Sequence, residues 1–342
     1  GATIRSNGRG VYLVYNEGNG EVNLEGGTIT GAGYSTGIYN NGTGIVNIKS
    51  GTINETSSDS TGVYNNGTGT INMTGGTILE VPNGYYAPTY GIYNRSTGNV
   101  NFNGGEINGG GNGIYNASMG NVSINDGVLA GDGVTIYNSD LGVITINGGS
   151  ITSKQTNYPV ANNGQGIIKV TGGTITGKQY GIFNQGKGVI TIGEKGGNVI
   201  TKTPVITGED YGIYLGNTLG VFNFYDGTIK GKKAYKYGSV TDIEPYYEVK
   251  ITTKDEYQCG ELTLSTVTNM QALVNGTYYS SIQTAINACA ENDHVVLING
   301  ANITEALTIE SGKNIVLDLA GFTINSTSPD YAIINKGTLR IM

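Results

Sequence analysis

The sequence predicts an all-β solenoid in which every coil contributes three short strands. Three observations predict it. A phrase of the form Gly-aliphatic-Tyr-Asn recurs along most of the chain, and pairs of apolar residues two apart follow it at a fixed distance. The 342 residues also include 58 Gly but only six Pro and no Trp, which supplies turns in abundance without collagen's three-residue period.

The phrase defines the first strand of each coil. It reads Gly37-Ile38-Tyr39-Asn40, Gly62-Val63-Tyr64-Asn65, Gly91-Ile92-Tyr93-Asn94 and Gly113-Ile114-Tyr115-Asn116. It continues as Ile136-Tyr137-Asn138, Val160-Ala161-Asn162, Gly181-Ile182-Phe183-Asn184 and Gly212-Ile213-Tyr214-Leu215, and Val14-Tyr15-Asn16 opens the series. The second strand begins eight residues after each aliphatic, with pairs such as Val46/Ile48, Ile71/Met73 and Ile144/Ile146. The third follows five residues later, at Ile29, Ile53, Ile78, Ile107, Leu129, Ile151 and Ile175. The period is 22 to 29 residues. Alternation at period two, broken by Gly and Asn turns, means strands, and nothing recurs at helical spacing here. One coil cannot bury its own apolar face, so coils must stack, and the architecture is a parallel β-helix.

Parity then assigns faces. Ile38, Val46, Ile48 and Ile53 point inward, whereas Tyr39, Asn47 and Thr52 point outward. Asn40 shares the parity of Ile38 and turns inward at the bend. Asn16, Asn40, Asn65, Asn94, Asn116, Asn138, Asn162 and Asn184 are therefore expected to form an internal ladder, each amide bonded to its neighbours and to turn backbone. An exposed Asn47 is expected to contribute little.

The phrases Gly-Ile-Tyr-Asn, Val-Asn-Ile and Gly-Gly-Thr-Ile resemble the right-handed parallel β-helices of the pectate-lyase-like superfold, in the form found as repeats of large bacterial cell-surface and adhesin-like proteins. The resemblance covers about residues 2–231 and again about 273–342. It implies a right-handed coil and a location outside the cell, at the cell surface or in a secreted filament. It leaves function open, because this fold hosts lyases, hydrolases, adhesins and phage fibres alike.

The chain divides into a parallel β-helix at 1–231, a cap and connector at 232–270, and a second β-helix starting at 271–342. The late coil carries an insertion, 193–204, before its third strand. Lys232, Lys233, Lys236, Glu244, Glu248, Lys250 and Lys254 mark the connector as different in composition. Beyond it, Ser280 and Ser281 offer an N-cap to the one amphipathic helix, near 281–290, with Ile282, Ala285, Ile286 and Cys289 on one stripe. Strands follow at 295–298, 307–309, 315–319 and 322–324, and Ala332-Ile333-Ile334-Asn335 repeats the first-strand phrase. A helix before the first coils is the expected plug for a solenoid end.

Composition also bounds function. Lys and Arg number 19 against 26 Asp and Glu, for a formal charge of −7. That argues against nucleic acid or an anionic membrane as partner, and no apolar run is long enough for a membrane span. Cys259 and Cys289 with the single His294 are too few for a structural zinc site, so no metal or cofactor is expected. The two cysteines read either as one disulfide or as ordinary thiols. The fold's hydrolases need clustered carboxylates and its lyases need calcium ligands with a base. No two adjacent coils place Asp or Glu at the same outward position, so no catalytic residue is assigned and the chain reads as a non-enzyme. The Asn41-Gly42-Thr43 and Asn66-Gly67-Thr68 sequons read as turns. Thr-x-Thr pairs such as Thr174/Thr176 suggest an ice-binding array, but Leu79, Glu106 and Val128 interrupt the columns.

Two features could bind a ligand. The outward column Tyr39, Tyr64, Tyr93, Tyr115 and Tyr137 is either a stabilising aromatic ladder or a platform for a glycan or a host or cell-surface protein. The longest insertion, at 79–90, brings Tyr85, Tyr86 and Tyr90 to the one corner where loop length varies. The expected function is an extracellular structural and adhesive solenoid, a rigid spacer or fibre-forming repeat. The alternative is a polysaccharide-binding or polysaccharide-degrading module. Finally, Ile341-Met342 followed by Gly1-Ala2-Thr3-Ile4 reproduces the spacing Ile48-Lys49-Ser50-Gly51-Thr52-Ile53. Copies are therefore expected to continue end to end, as a tandem array or a head-to-tail fibre.

Overall fold

The computed structural model describes residues 1–80, 89–153, 158–196, 201–216, 219–236, 240–243, 247–264 and 270–342. They form two compact units, one of residues 1–244 and 249–263 and one of residues 245–248 and 264–342. The first is a right-handed parallel β-helix with three strands per coil. Its first strands, from Tyr12–Asn16 to Lys233–Lys236, stack as one ten-stranded sheet. The second and third strands stack as two further columns and are continuous in the early coils, as in Ile45–Glu55.

The pairing is in register phrase upon phrase: Ile38 on Val63, Tyr39 on Tyr64 and Asn40 on Asn65. Parity is as the alternation requires, because Ile38, Val46, Ile48 and Ile53 are all fully buried. Each such side chain contributes about 1.5–3 kcal/mol by leaving water. The turns stack as closely as the strands. A Cβ added at Gly67 would lie 2.1 Å from the Gly42 carbonyl oxygen of the preceding coil, so the turn admits no side chain there.

The coil pattern runs further than its sequence phrase. Lys233–Lys236 pairs with Tyr211–Leu215, and Asp242–Ile243 pairs with Val221–Phe224. Part of the expected connector is thus a further coil. The phrase is disguised because Tyr235 stands in register with Ile213, and its ring meets Phe222 edge-on at 5.6 Å. The hairpin Tyr247–Lys254 and Tyr257–Leu264 then lays its second strand antiparallel on Thr228–Gly231. Reversing strand direction ends the parallel column at that edge.

The second unit is built round the helix Ile282–Ala288. Ser281 caps it by accepting from the Thr284 N–H, and Ile282, Ala285 and Ile286 are buried. Gln283 takes the place of a neighbouring strand for Leu307–Ile309. Its Nε2 donates to the Thr308 carbonyl at 3.0 Å and its Oε1 accepts from the Thr308 N–H at 2.7 Å. Lys313 Nζ donates to the Asn287 and Cys289 carbonyls at the helix C-terminus, at 3.0 and 2.8 Å. Three columns of parallel strands follow: Asp293–Leu297, Asn314–Asp318 and Thr338–Ile341; Ala301–Ile303 and Ile324–Ser326; Leu307–Ile309 and Ile333–Asn335.

Candidate functional site

The most regular polar structure is internal. Asn16 Nδ2 donates to Asn40 Oδ1 at 2.8 Å, and the relay continues through Asn65, Asn94, Asn116, Asn138 and Asn162 to Asn184 at 2.9–3.0 Å per step. Each Nδ2 also donates to the carbonyl four residues on, as Asn116 does to Gly120 at 2.8 Å. From Asn40 onward every member is fully buried. The ladder has a direction, with each coil donating to the next. It ends where Leu215 pairs with Asn184, and at its other end Asn16 Oδ1 has no donor among the described residues.

A second ladder lies outside, on the second strands. Asn47 donates to Asn23 Oδ1 at 3.0 Å and to Glu21 Oε1 at 2.7 Å, Asn72 donates to Asn47 at 2.9 Å, and Asn101 donates to Asn72 at 2.9 Å. Asn47 faces outward as parity requires, yet it is half-buried and bonded on both sides. The signal was in the sequence, since these four Asn share one position in successive coils. A third run, Asn125 to Asn103, Asn147 to Asn125 and Thr171 to Asn147, joins the turns after the second strands.

The aromatic column packs ring upon ring in two runs, Tyr12 to Tyr137 and Tyr158 to Tyr214. Tyr15 lies on Tyr39 at 5.5 Å and 6°, Tyr39 on Tyr64 at 5.0 Å and 16°, and Tyr115 on Tyr137 at 5.0 Å and 9°; Tyr93 meets Tyr64 and Tyr115 edge-on. Rings from a neighbouring column, which the phrase did not mark, thicken the stripe: Tyr12, Tyr180 and Tyr211. At the Ala161 gap, Tyr158 stacks on Phe183 at 4.5 Å. Lys236 closes the far end, its Nζ 4.8 Å from the centre of the Tyr214 ring. The rings are turned toward one another along the coil axis. A sugar stacks on a ring face, and from Tyr39 to Tyr115 each ring has ring neighbours on both sides along the column.

Of the insertion residues, Tyr85 and Tyr86 lie outside the described residues. Tyr90 opens the strand Tyr90–Asn94, stacks on Tyr93 at 4.8 Å, and has its phenol pushed up to about 12, mainly by burial. A groove of about 470 Å³ lies elsewhere, beside the hairpin, where the Thr152, Thr176 and Thr207 column meets Lys178 and the exposed Tyr257.

One acid breaks the pattern. Glu55 occupies an inward position that Gly31 fills in the coil before, and it is completely buried. Ser35 Oγ donates to its Oε2, while its Oε1 has no hydrogen-bond partner. Burial pushes its carboxyl above the ordinary range, and the Ser35 bond only partly opposes this. Glu80 is in register with Glu55 on the next coil. Surface charges instead pair across coils, as Lys49 does with Glu25 at 2.8 Å and Lys232 with Asp210 at 3.2 Å. Both cysteines are thiols in this structure, Cys259 half-buried and Cys289 buried, and desolvation raises both.

Searches against family models, curated proteins and solved structures each found no match.

Proposed function

We propose that this chain is a non-enzymatic structural solenoid, a rigid spacer in an extracellular bacterial protein. The supporting observation is where the polar chemistry is directed. Eight Asn side chains bond coil to coil inside, four more do so outside, and the tyrosine rings stack on one another. All of these contacts resist separation of the coils. The extracellular bacterial setting rests on the resemblance of the repeat phrases. The glycan-binding and glycan-cleaving readings have less support, since the ring faces needed for sugar stacking are engaged.

A glycan array and a panel of acidic polysaccharides, applied to the whole chain, test this. Neither specific binding nor cleavage is expected. Binding lost on Tyr85→Ala/Tyr86→Ala would make recognition the function, and cleavage of any polysaccharide would overturn the non-enzymatic reading.

A further inference from the structure

We propose that one outward face of the first unit, spanning the five coils from Met119 to Val221, packs side by side and in reverse coil order against the same face of a second copy of this chain. This partner rests on the structural reading above and adds a lateral contact to it.

The face is built on five second strands, Asn121–Ile124, Val143–Ile146, Ile167–Val170, Val189–Ile192 and Val221–Phe224. Their opening residues share one outward column, with Val143 on Ile167, Ile167 on Val189 and Val189 on Val221. The same column is polar in the coils just before, at Thr70, Asn99 and Asn121. Two residues earlier, at the turn, Met119 is 55%, Leu141 48% and Leu219 62% exposed. Other coils place Thr43, Thr68 and Thr97 at this turn position. A β-branched residue suits any strand, but Met and Leu contribute nothing to a turn. Exposed apolar side chains gathered on one corner and the strand beside it mark an interaction surface.

The occupant follows from how the face matches itself. A two-fold axis along the middle strand Ile167–Val170 reverses the coil order and keeps the turns on one side. Ile167 then meets Ile167 of the second copy, Val143 meets Val189, and Met119 meets Leu219. Gln165, at the turn of the middle coil, meets its own equivalent, and its amide can both donate and accept. Charge agrees with this arrangement. Asp140 lies one coil to one side of the axis and Lys187 one coil to the other, so each comes within reach of its counter-ion, twice per dimer. Neither has an ion pair among the described residues. With the coil order kept, the turns would lie on opposite sides and none of these matches would form. An apolar middle with charges at its edge is the usual anatomy of a protein interface.

A two-fold contact closes on itself, so wild type is expected to pass from monomer to dimer as concentration rises. Sedimentation velocity on the whole chain, from micromolar to near-millimolar, is the test. Ile167→Lys should hold the chain monomeric over that range, whereas Thr43→Lys, at the same turn position outside the face, should change nothing. Asp140→Lys and Lys187→Asp should each weaken the dimer about tenfold. Mixing these two variants, or combining them in one chain, should restore it, because opposite charges then face each other again. A wild-type chain that stays monomeric, association that Ile167→Lys leaves intact, or charge variants that mixing does not rescue would overturn the proposal. Circular dichroism and melting of each variant establish that its coils are intact. Failure here is separable from failure of the structural reading, which falls only if the chain binds or cleaves glycan.

Discussion

Replacing Asn116 by Leu tests the inner ladder where it is most tightly specified. The Asn116 side chain accepts from Asn94 Nδ2 at 2.9 Å, donates to Asn138 Oδ1 at 2.9 Å and donates to the Gly120 carbonyl at 2.8 Å. Leu keeps the branching and heavy-atom count of Asn but is bulkier, so a repacking cost adds to the lost hydrogen bonds. It leaves the Asn94 amide and Asn138 Oδ1 without their partner in a fully buried column, while the Gly120 carbonyl keeps the Val143 N–H at 3.2 Å. Each orphaned group costs about 1–3 kcal/mol. Some relaxation is expected, so the sum should lie near 3–5 kcal/mol rather than at the simple total. Asn184→Leu is the internal control, because its neighbour in the next coil is already Leu215. It orphans only the Asn162 amide, because the Gly188 carbonyl keeps the Val221 N–H at 3.2 Å, and should cost about half as much. Urea unfolding followed by circular dichroism measures both. Amide exchange at the flanking coils would locate the opening, since repeat arrays need not unfold in one step. Equal costs for the two variants, or a cost below about 1 kcal/mol for Asn116→Leu, would refute the claim that the relay holds the coils.

Other perturbations separate the remaining contributions. Gly67→Ala should destabilise by about 1–3 kcal/mol, because its new methyl meets backbone that cannot move aside, whereas exposed Thr68→Ala should stay within about 0.5 kcal/mol in the same melts. Asn47→Ala should cost about 0.5–1 kcal/mol, since water can replace its half-exposed partners. Tyr115→Ala should cost about 1–2 kcal/mol by unstacking Tyr137, and a neutral result would disprove a stabilising stripe. Glu55 has a folded pKa raised above 4.5, so the folded state holds its proton more tightly than the unfolded state. Stability should therefore fall as pH rises from the carboxylate range through the raised value, and Glu55→Gln should abolish that slope. Parallel pH–melting curves for the two would remove Glu55 as the cause.

The repeat made most of this fold legible because one rule, period-two alternation within a fixed phrase, applied to every coil. Ile38, Val46, Ile48 and Ile53 reveal their faces by spacing alone, and Asn40 reveals its own by sharing their parity. Residues that leave the phrase were harder. The coil through Lys233–Lys236 hides behind two outward lysines and an inward Tyr235, so its charges read as a connector. Tyr158 reaches the stripe from outside the phrase and compensates for Ala161, a contact between neighbours in space that no single-strand pattern displays. The outer ladder was visible as a column of Asn23, Asn47, Asn72 and Asn101. Parity alone described those residues as solvent-facing, and facing solvent did not exclude bonding to one another. Glu55 shares the parity of Ile53, but its burial and its unpartnered oxygen required coordinates.

Direction is what joins the interior to the proposed function. A column of apolar side chains has no polarity and could be capped by almost any greasy surface. A relay of amides donates one way only, from each coil to the next, until Leu215 takes the place of an Asn. A coil that slips out of register leaves a buried amide or carbonyl unpaired, at about 1–3 kcal/mol. The ladder therefore fixes the register of each coil on the next, which apolar columns alone do not, and a solenoid held in register at every step is the rigid spacer proposed above.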